Sequence, residues 1–289
     1  MSGRRRAARW SAYLFALPYL VLFSGFVALP LGYGLALSLF RSELLSTRPP
    51  VFIGLANYRE ALTDEYFWMA LRATIRFALL ATPTTVALAL AIATAISRAP
   101  AARQTIYRAA YFLPGLITIS VAGLLWRWFY NSEFGLFNAY LAPLGLKPPW
   151  LTNGTWAMSS IVLMTVWWTV GGPVVVLLAG LHQVPRQYTE AASLDGASFW
   201  QSYRMVTLPL LRPVLLFVVV LNTIGAFQVF GQTFMITRGG PELLTRSLVQ
   251  YIYETAFNNY RMGYAAAMSW LLFLLIALFS FAQFRLLKE

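Results

Sequence analysis

The chain has 289 residues, 59% of them hydrophobic and 11% charged, with 22 Lys and Arg against 10 Asp and Glu for a formal charge of +12. Soluble domains run at roughly 45–50% apolar and about 25% charged, so this is a membrane composition. The lack of cysteine excludes disulfides, thiolate catalysis and sulfur-ligated metal sites, and scattered arginines without an aromatic-laced basic face argue against nucleic acid and for loops held at an anionic bilayer.

Six stretches lack Asp, Glu, Lys and Arg over most of their length: residues 10–40, 77–96, 109–126, 156–181, 213–237 and 262–284. Each is near or above the roughly 18 residues that a spanning helix needs. Lipid offers the backbone no hydrogen-bond partner, and continuous apolar runs without polar alternation are helices rather than barrel strands. The expected fold is all-α, a polytopic membrane protein with six transmembrane helices in a single domain over residues 1–289. Arg4, Arg5, Arg6 and Arg9 ahead of an apolar run resemble a signal peptide, but Trp10 to Phe40 is about 31 residues against an h-region of about 7–15, so it reads as an uncleaved first helix with Pro18 near the end of an interfacial part. About 12 of the 22 basic residues fall in roughly 58 loop positions on the side of the termini, against about 10 in roughly 89 on the other. That asymmetry places both termini in the cytoplasm.

The spans hold no ionisable side chain of the kind that a proton- or sodium-coupled carrier keeps in its helices. Neither Lys147 nor Lys288 follows glycine, so the chain has no phosphate-binding loop and does not hydrolyse ATP by itself. His182 has no cysteine or clustered carboxylate for a metal site and reads as a structural loop residue. Asn153-Gly154-Thr155 matches a glycosylation acceptor, but such short matches arise by chance and it reads as a tight loop turn. What is left is either a passive channel or scaffold, or a subunit energised by another chain.

The largest cytoplasmic loop, residues 182–212, separates these readings. Pro185 suits the first turn of a short helix, and Asp195-Gly196 ends it with glycine in the left-handed region. A second short helix follows, with Phe199, Tyr203 and Val206 on one face. From spacing alone, a hairpin lying on lipid headgroups and a protein-docking element remain equally open.

The string Glu190-Ala191-Ala192, then Asp195-Gly196-Ala197, with Leu208-Pro209 just ahead of a span, resembles the cytoplasmic EAA loop of bacterial ATP-binding cassette importer permeases. Gly54-Leu55-Ala56-Asn57-Tyr58, Thr237-Arg238-Gly239-Gly240-Pro241, Ala256-Phe257 and Gly263-Tyr264-Ala265-Ala266-Ala267 are similar to the maltose and glycerol-3-phosphate branch. The resemblance implies a type I importer permease fold in the bacterial inner membrane. It implies a transport subunit rather than an enzyme, and no cofactor on this chain, with ATP and Mg on a dimer of partner ATPases. A second permease subunit, an extracytoplasmic solute-binding protein and a sugar or sugar derivative complete the set. Glu190, Ala191, Ala192, Asp195 and Gly196 would then form the coupling helix and its turn.

For the solute pathway, polar and aromatic side chains within spans are the candidates. The fifth span offers Asn222, Phe227, Gln228 and Gln232, the two glutamines sharing a face at i, i+4 spacing. The fourth offers Trp168 and Thr169 ahead of Gly171-Gly172-Pro173, which interrupts the helical ladder at mid-span. Interhelical hydrogen bonding and a simple kink are the structural alternatives. The Asn-rich run of the maltose permease does not recur here.

Overall fold

The computed structural model describes residues 15–288. The N-terminal arginines and the start of the first predicted span lie outside the described residues. The chain divides into two compact units, Met1–Asp64 with Ile252–Leu271, and Glu65–Tyr251 with Leu272–Glu289.

In the first unit, α1 (Phe15–Ser38) runs through Pro18 without a break and contains one π turn at Ser24–Ala28. It stops at Ser38, and the predicted span's last residue, Phe40, belongs to a short antiparallel ribbon of β1 (Phe40–Arg41) and β2 (Val51–Phe52). Carbonyls at a helix end need partners. Buried Asn57, in α2 (Ala56–Thr63), supplies them by donating through Nδ2 to the Ser38 carbonyl at 2.8 Å and the Phe40 carbonyl at 3.0 Å. Tyr58 pairs with the Ser38 hydroxyl at 2.7 Å, and Gly54 takes φ +59 in the turn leading in. Gly263 lies so close to the Phe40 carbonyl that no Cβ fits, while the Tyr264 hydroxyl donates to Asp64 at 2.7 Å. Two of the sequence segments that carry the family resemblance are thus the stitching of this unit.

The second unit is a helical bundle. Its elements are α3 (Glu65–Ser97), α4 (Ala101–Phe112), α5 (Ile119–Phe129), α6 (Leu136–Leu141), α7 (Gly154–Thr169), α8 (Gly171–Gln183), α9 (Arg186–Leu194), α10 (Phe199–Phe227) and α11 (Gly231–Ile236). Helix α12 (Leu248–Tyr253) and α13 (Met262–Lys288) complete the chain. Helix α3 is longer than the predicted second span because Arg72 and Arg76 sit on its exposed side and leave its other face free to pack. That face is a run of small residues, among them Ala70, Ala78, Ala81, Ala89 and Ala93, which lets neighbouring helices approach closely. Against it pack Val170, Val174, Leu177 and Leu178 from the α7–α8 segment and Leu211 and Val218 from α10.

Helices α1, α3, α10 and α13 are each long and apolar enough to cross a bilayer. The third and fourth predicted spans are not straight rods. The third turns by 92° between Leu116 and Ile119, because Pro114 ends regular helix in a 3-10 turn and Ile117 and Thr118 are extended. The fourth bends by 51° at Val170, where Pro173 has no N–H for the Thr169 carbonyl. Irregular backbone at membrane depth must be covered by protein, and the two breaks cover each other. Trp168 Nε1 donates to the Ile117 carbonyl at 2.9 Å, and Gly171 lies against the Tyr111 carbonyl and Phe112 Cα.

A Cβ on Gly171 would come within 2.7 Å of Phe112 Cα, whereas Gly172 has no atom within 4 Å. Gly171→Ala is therefore expected to destabilise the fold by about 1–3 kcal/mol and Gly172→Ala to leave it intact. Thermal unfolding and size-exclusion profiles in detergent compare the two, and equal stability would contradict this packing.

Candidate functional site

The predicted docking loop is a helix–turn–helix whose turn is closed by the backbone. Pro185 is the residue that caps α9, one position before the first turn where spacing had set it. At the other end Gly196 has φ +81, Gly196 N–H donates to the Ser193 carbonyl at 3.1 Å, and Ala197 N–H donates to the Ala192 carbonyl at 2.9 Å. This is a Schellman ending, and it makes the left-handed geometry at Gly196 a requirement. Ser198 then caps α10 in a reciprocal pair with Gln201, its N–H donating to Gln201 Oε1 at 2.7 Å. Glu190, Ala191, Asp195 and Gly196 are exposed, and Ala192 is half-buried.

The second helix of the loop is not a separate amphipathic piece. It passes through a π turn at Tyr203–Thr207, ahead of Pro209, and continues as the fifth span to Phe227. Extra backbone in a π turn is a common way to absorb a proline without ending a helix. The Asp195-Gly196 turn is consequently joined to the membrane interior by one uninterrupted helix. Around that turn Leu194 is 89% exposed and Trp200 72% exposed. Leu194 belongs to the helix that the family resemblance assigns to coupling; Trp200 was not singled out, and a large apolar residue just past a polar turn is the signal that finds it.

The interior end of α10 opens on a cavity of about 490 Å³. Its wall includes Trp168, Thr169, Gly172 and Pro173 from the bent fourth segment and Asn222, Gly225 and Gln232 from the fifth. No charged side chain lines it. Asn222 spends one amide proton on the Val218 carbonyl at 2.9 Å, and its carbonyl oxygen is left to accept. Thr165 and Thr169 donate their hydroxyls to the carbonyls of Ile161 and Thr165, both at 2.8 Å, so their oxygens also accept. With Phe77, Trp168 and Phe217 supplying ring faces, the lining suits an uncharged solute rich in hydroxyl groups.

Two pathway candidates fall outside this cavity. Helix α10 ends at Phe227, and Val229 and Phe230 break the chain before α11, so Gln228 and Gln232 do not share a helical face. Gln232 lines the cavity; Gln228 is exposed elsewhere. Phe227 is 2% exposed and packs on the Phe279 ring at 5.0 Å, a core contact. Thr82, Thr85 and Thr165 line the cavity and were not singled out, although a Thr-Pro-Thr-Thr string within an apolar run was visible at residues 82–85. His182 lies in the last turn of α8, not in a loop. Asn153 is a helix cap, accepting from Thr155 and Trp156 N–H groups. The Gly239-Gly240-Pro241 segment is knitted by Thr237 and Thr245, whose hydroxyls pair at 2.7 Å. Among the described residues no group of His, Cys, Asp or Glu gathers to hold a metal ion.

Comparison with known proteins gives the family. Residues 87–288 match the model for the binding-protein-dependent transport system inner membrane component. The chain is 36% identical over 95% of its length to the probable ABC transporter permease YesP of Bacillus subtilis, of which 89% is covered. It is 34% identical over 93% to the trehalose/maltose transport system permease MalF of Thermococcus litoralis, of which 90% is covered, and 32% identical over 92% to the sulfoquinovosyl glycerol permease SmoG of Agrobacterium fabrum, of which 87% is covered. In structure it superposes with a TM-score of 0.81 and 21% identity on a chain of a bacterial ABC transporter involved in alginate import, covering 99% of this chain and 97% of that one. The chain belongs to the inner membrane components of binding-protein-dependent transport systems.

Proposed function

We propose that the chain is the permease subunit of an ATP-driven importer of a sugar or sugar derivative. Both termini face the cytoplasm, and the α9 turn engages a separate ATP-binding cassette ATPase. A dimer of that ATPase, carrying ATP and Mg, a second permease and an extracytoplasmic binding protein complete the assembly. The observation that carries the reading is the continuity of α10 from the turn beside Gly196 to the cavity beside Asn222. At about 1.5 Å per residue the roughly 24 residues from Phe199 to Asn222 form a rod of about 36 Å. Closure of an ATPase dimer would pull on the turn, and the rod would move the cavity wall, switching access between the two sides of the membrane. The exposure of Leu194 and Trp200 supports a protein partner at that turn, since both would be buried on docking. The acceptor-rich, uncharged lining supports a sugar, as do the solutes named for the trehalose/maltose and sulfoquinovosyl glycerol relatives.

Purification in mild detergent is expected to recover an ATPase whose turnover rises when solute-loaded binding protein is added. Recovery of the chain alone, with downhill solute flux through vesicles, would instead establish a passive channel. Gly196→Val places a branched side chain at φ +81, a strain of about 1–2 kcal/mol, and is expected to lower uptake and ATPase association with membrane insertion unchanged. Wild-type uptake in that variant would contradict the coupling role.

In the cavity, Asn222→Ala and Gln232→Ala are each expected to reduce uptake several-fold at unchanged complex yield, a loss of about 1 kcal/mol or more per hydrogen bond. Gln228→Ala is expected to leave uptake unchanged. Transport assays at subsaturating solute separate the three, and equal effects at all three positions would place the solute elsewhere.

A further inference from the structure

A second cavity, of about 750 Å³, is walled by the ends of α3 and α8, the start of α4, α9 and the first turns of α10. Three basic side chains line it, Arg98, His182 and Arg186, and no acidic one does. Arg98 stacks over the Phe199 ring at 4.0 Å, which orients its guanidinium plane without consuming its N–H groups. The hydroxyls in the wall have the opposite character. Ser97, Thr189 and Ser193 donate to the carbonyls of Thr94, Arg186 and Glu190 at 2.7–2.8 Å, so towards the cavity their oxygens can only accept.

Cations that demand an anion and acceptors that demand hydroxyl donors select different parts of one molecule. A phosphate group takes charge-assisted bonds from the arginines, bidentate where a guanidinium faces it. A polyol attached to that phosphate has the O–H groups that Ser97, Thr189 and Ser193 can accept. We infer that this cavity binds a phosphomonoester of a sugar or polyol from the cytoplasm. The occupant bridges the α3–α4 corner, through Arg98, to the coupling helix α9, through Arg186 and Thr189. It therefore restrains the lever that α10 extends into the membrane, and it lowers transport when phosphorylated sugar accumulates. The class of reaction that supplies such a ligand is phosphoryl transfer onto an imported sugar. Binding depends on the cavity alone; the regulatory consequence rests on the importer reading above.

The two parts are tested separately. The full chain in phosphatidylcholine nanodiscs is titrated calorimetrically with glucose 6-phosphate, with glucose, and with inorganic phosphate. Glucose 6-phosphate is expected to bind, inorganic phosphate to bind more weakly, and glucose not to bind. Arg186→Gln is expected to weaken glucose 6-phosphate about 10-fold, the size of one charge-assisted hydrogen bond, and Thr189→Leu to weaken it by filling the wall. Both substitutions lie on a solvent-facing helix whose fold does not depend on them. In the assembled transporter, glucose 6-phosphate is expected to lower binding-protein-stimulated ATPase activity at least about threefold, a loss that Arg98→Gln, off the coupling helix, abolishes while retaining uninhibited turnover. No binding of glucose 6-phosphate to the chain would overturn the site, as would equal binding of glucose, which would make the cavity part of the solute path. Displacement of glucose 6-phosphate by phosphatidylglycerol added to the nanodiscs would overturn the soluble ligand in favour of a lipid headgroup. Binding without any change in ATPase activity would overturn the regulation alone.

Discussion

Backbone groups that lose their helical partners inside a bilayer find no water to replace them, and this constraint explains the arrangement of the middle of the chain. Pro114 and Pro173 each interrupt a hydrogen-bond ladder in the third and fourth segments. Neither interruption would be tolerable facing lipid. The structure brings the two together: the indole of Trp168 donates to the Ile117 carbonyl, and the missing side chain of Gly171 admits the backbone at Tyr111 and Phe112. Gly115 approaches the Trp168 carbonyl in the same place, with only 3.3 Å for a Cβ. One contact thus offsets two defects.

The same contact has a functional result. Because the fourth segment bends at Val170, Thr169, Gly172 and Pro173 are turned towards α3 and α10 around an open space. A straight helix with a regular side-chain stripe would have filled it, as the alanine face of α3 and the Val174 and Leu177 ridge do on the C-terminal side of the bend. Gly172 and Gly225 have no atom within 4 Å of a would-be Cβ, and both lie in the cavity wall, so the space is made by omitting side chains rather than by holding helices apart. Helix α10 thus faces close packing on one side of the bend and open space on the other.

Element type was readable from the sequence wherever it depends on local chemistry. The long uncharged runs located the spans, Gly196 marked the left-handed helix ending, and Gly-Gly-Pro marked the fourth-segment break. Boundaries that depend on tertiary partners were not readable. Arg72 and Arg76 end an uncharged run but not a helix, because each occupies an exposed position on α3. Pro114-Gly115 lies within an apolar run that scans as one span, and only its contact with Trp168 shows that the chain turns there. The site was legible in part. Trp168, Thr169, Asn222 and Gln232 meet at the cavity as expected of polar and aromatic residues in spans, whereas the shared face assigned to Gln228 and Gln232 assumed helix through Val229 and Phe230. Several segments that carry the family likeness, Asn57-Tyr58, Gly263-Tyr264 and Thr237 to Pro241, close turns and helix ends.

The central claim is that α10 moves as one rod, linking the turn at Asp195-Gly196 to the cavity wall. Its most direct test is electron–electron distance measurement on spin labels in the assembled transporter, with and without trapped ATP. One pair is placed along α10, at Gln201 and Leu221, and a second pair joins Leu221 to Leu88 on α3; all three are exposed positions. The rod model predicts an unchanged distance within α10 and a changed distance between α10 and α3. A change confined to the pair within α10, with the helix flexing at the π turn of Tyr203–Thr207, would contradict it.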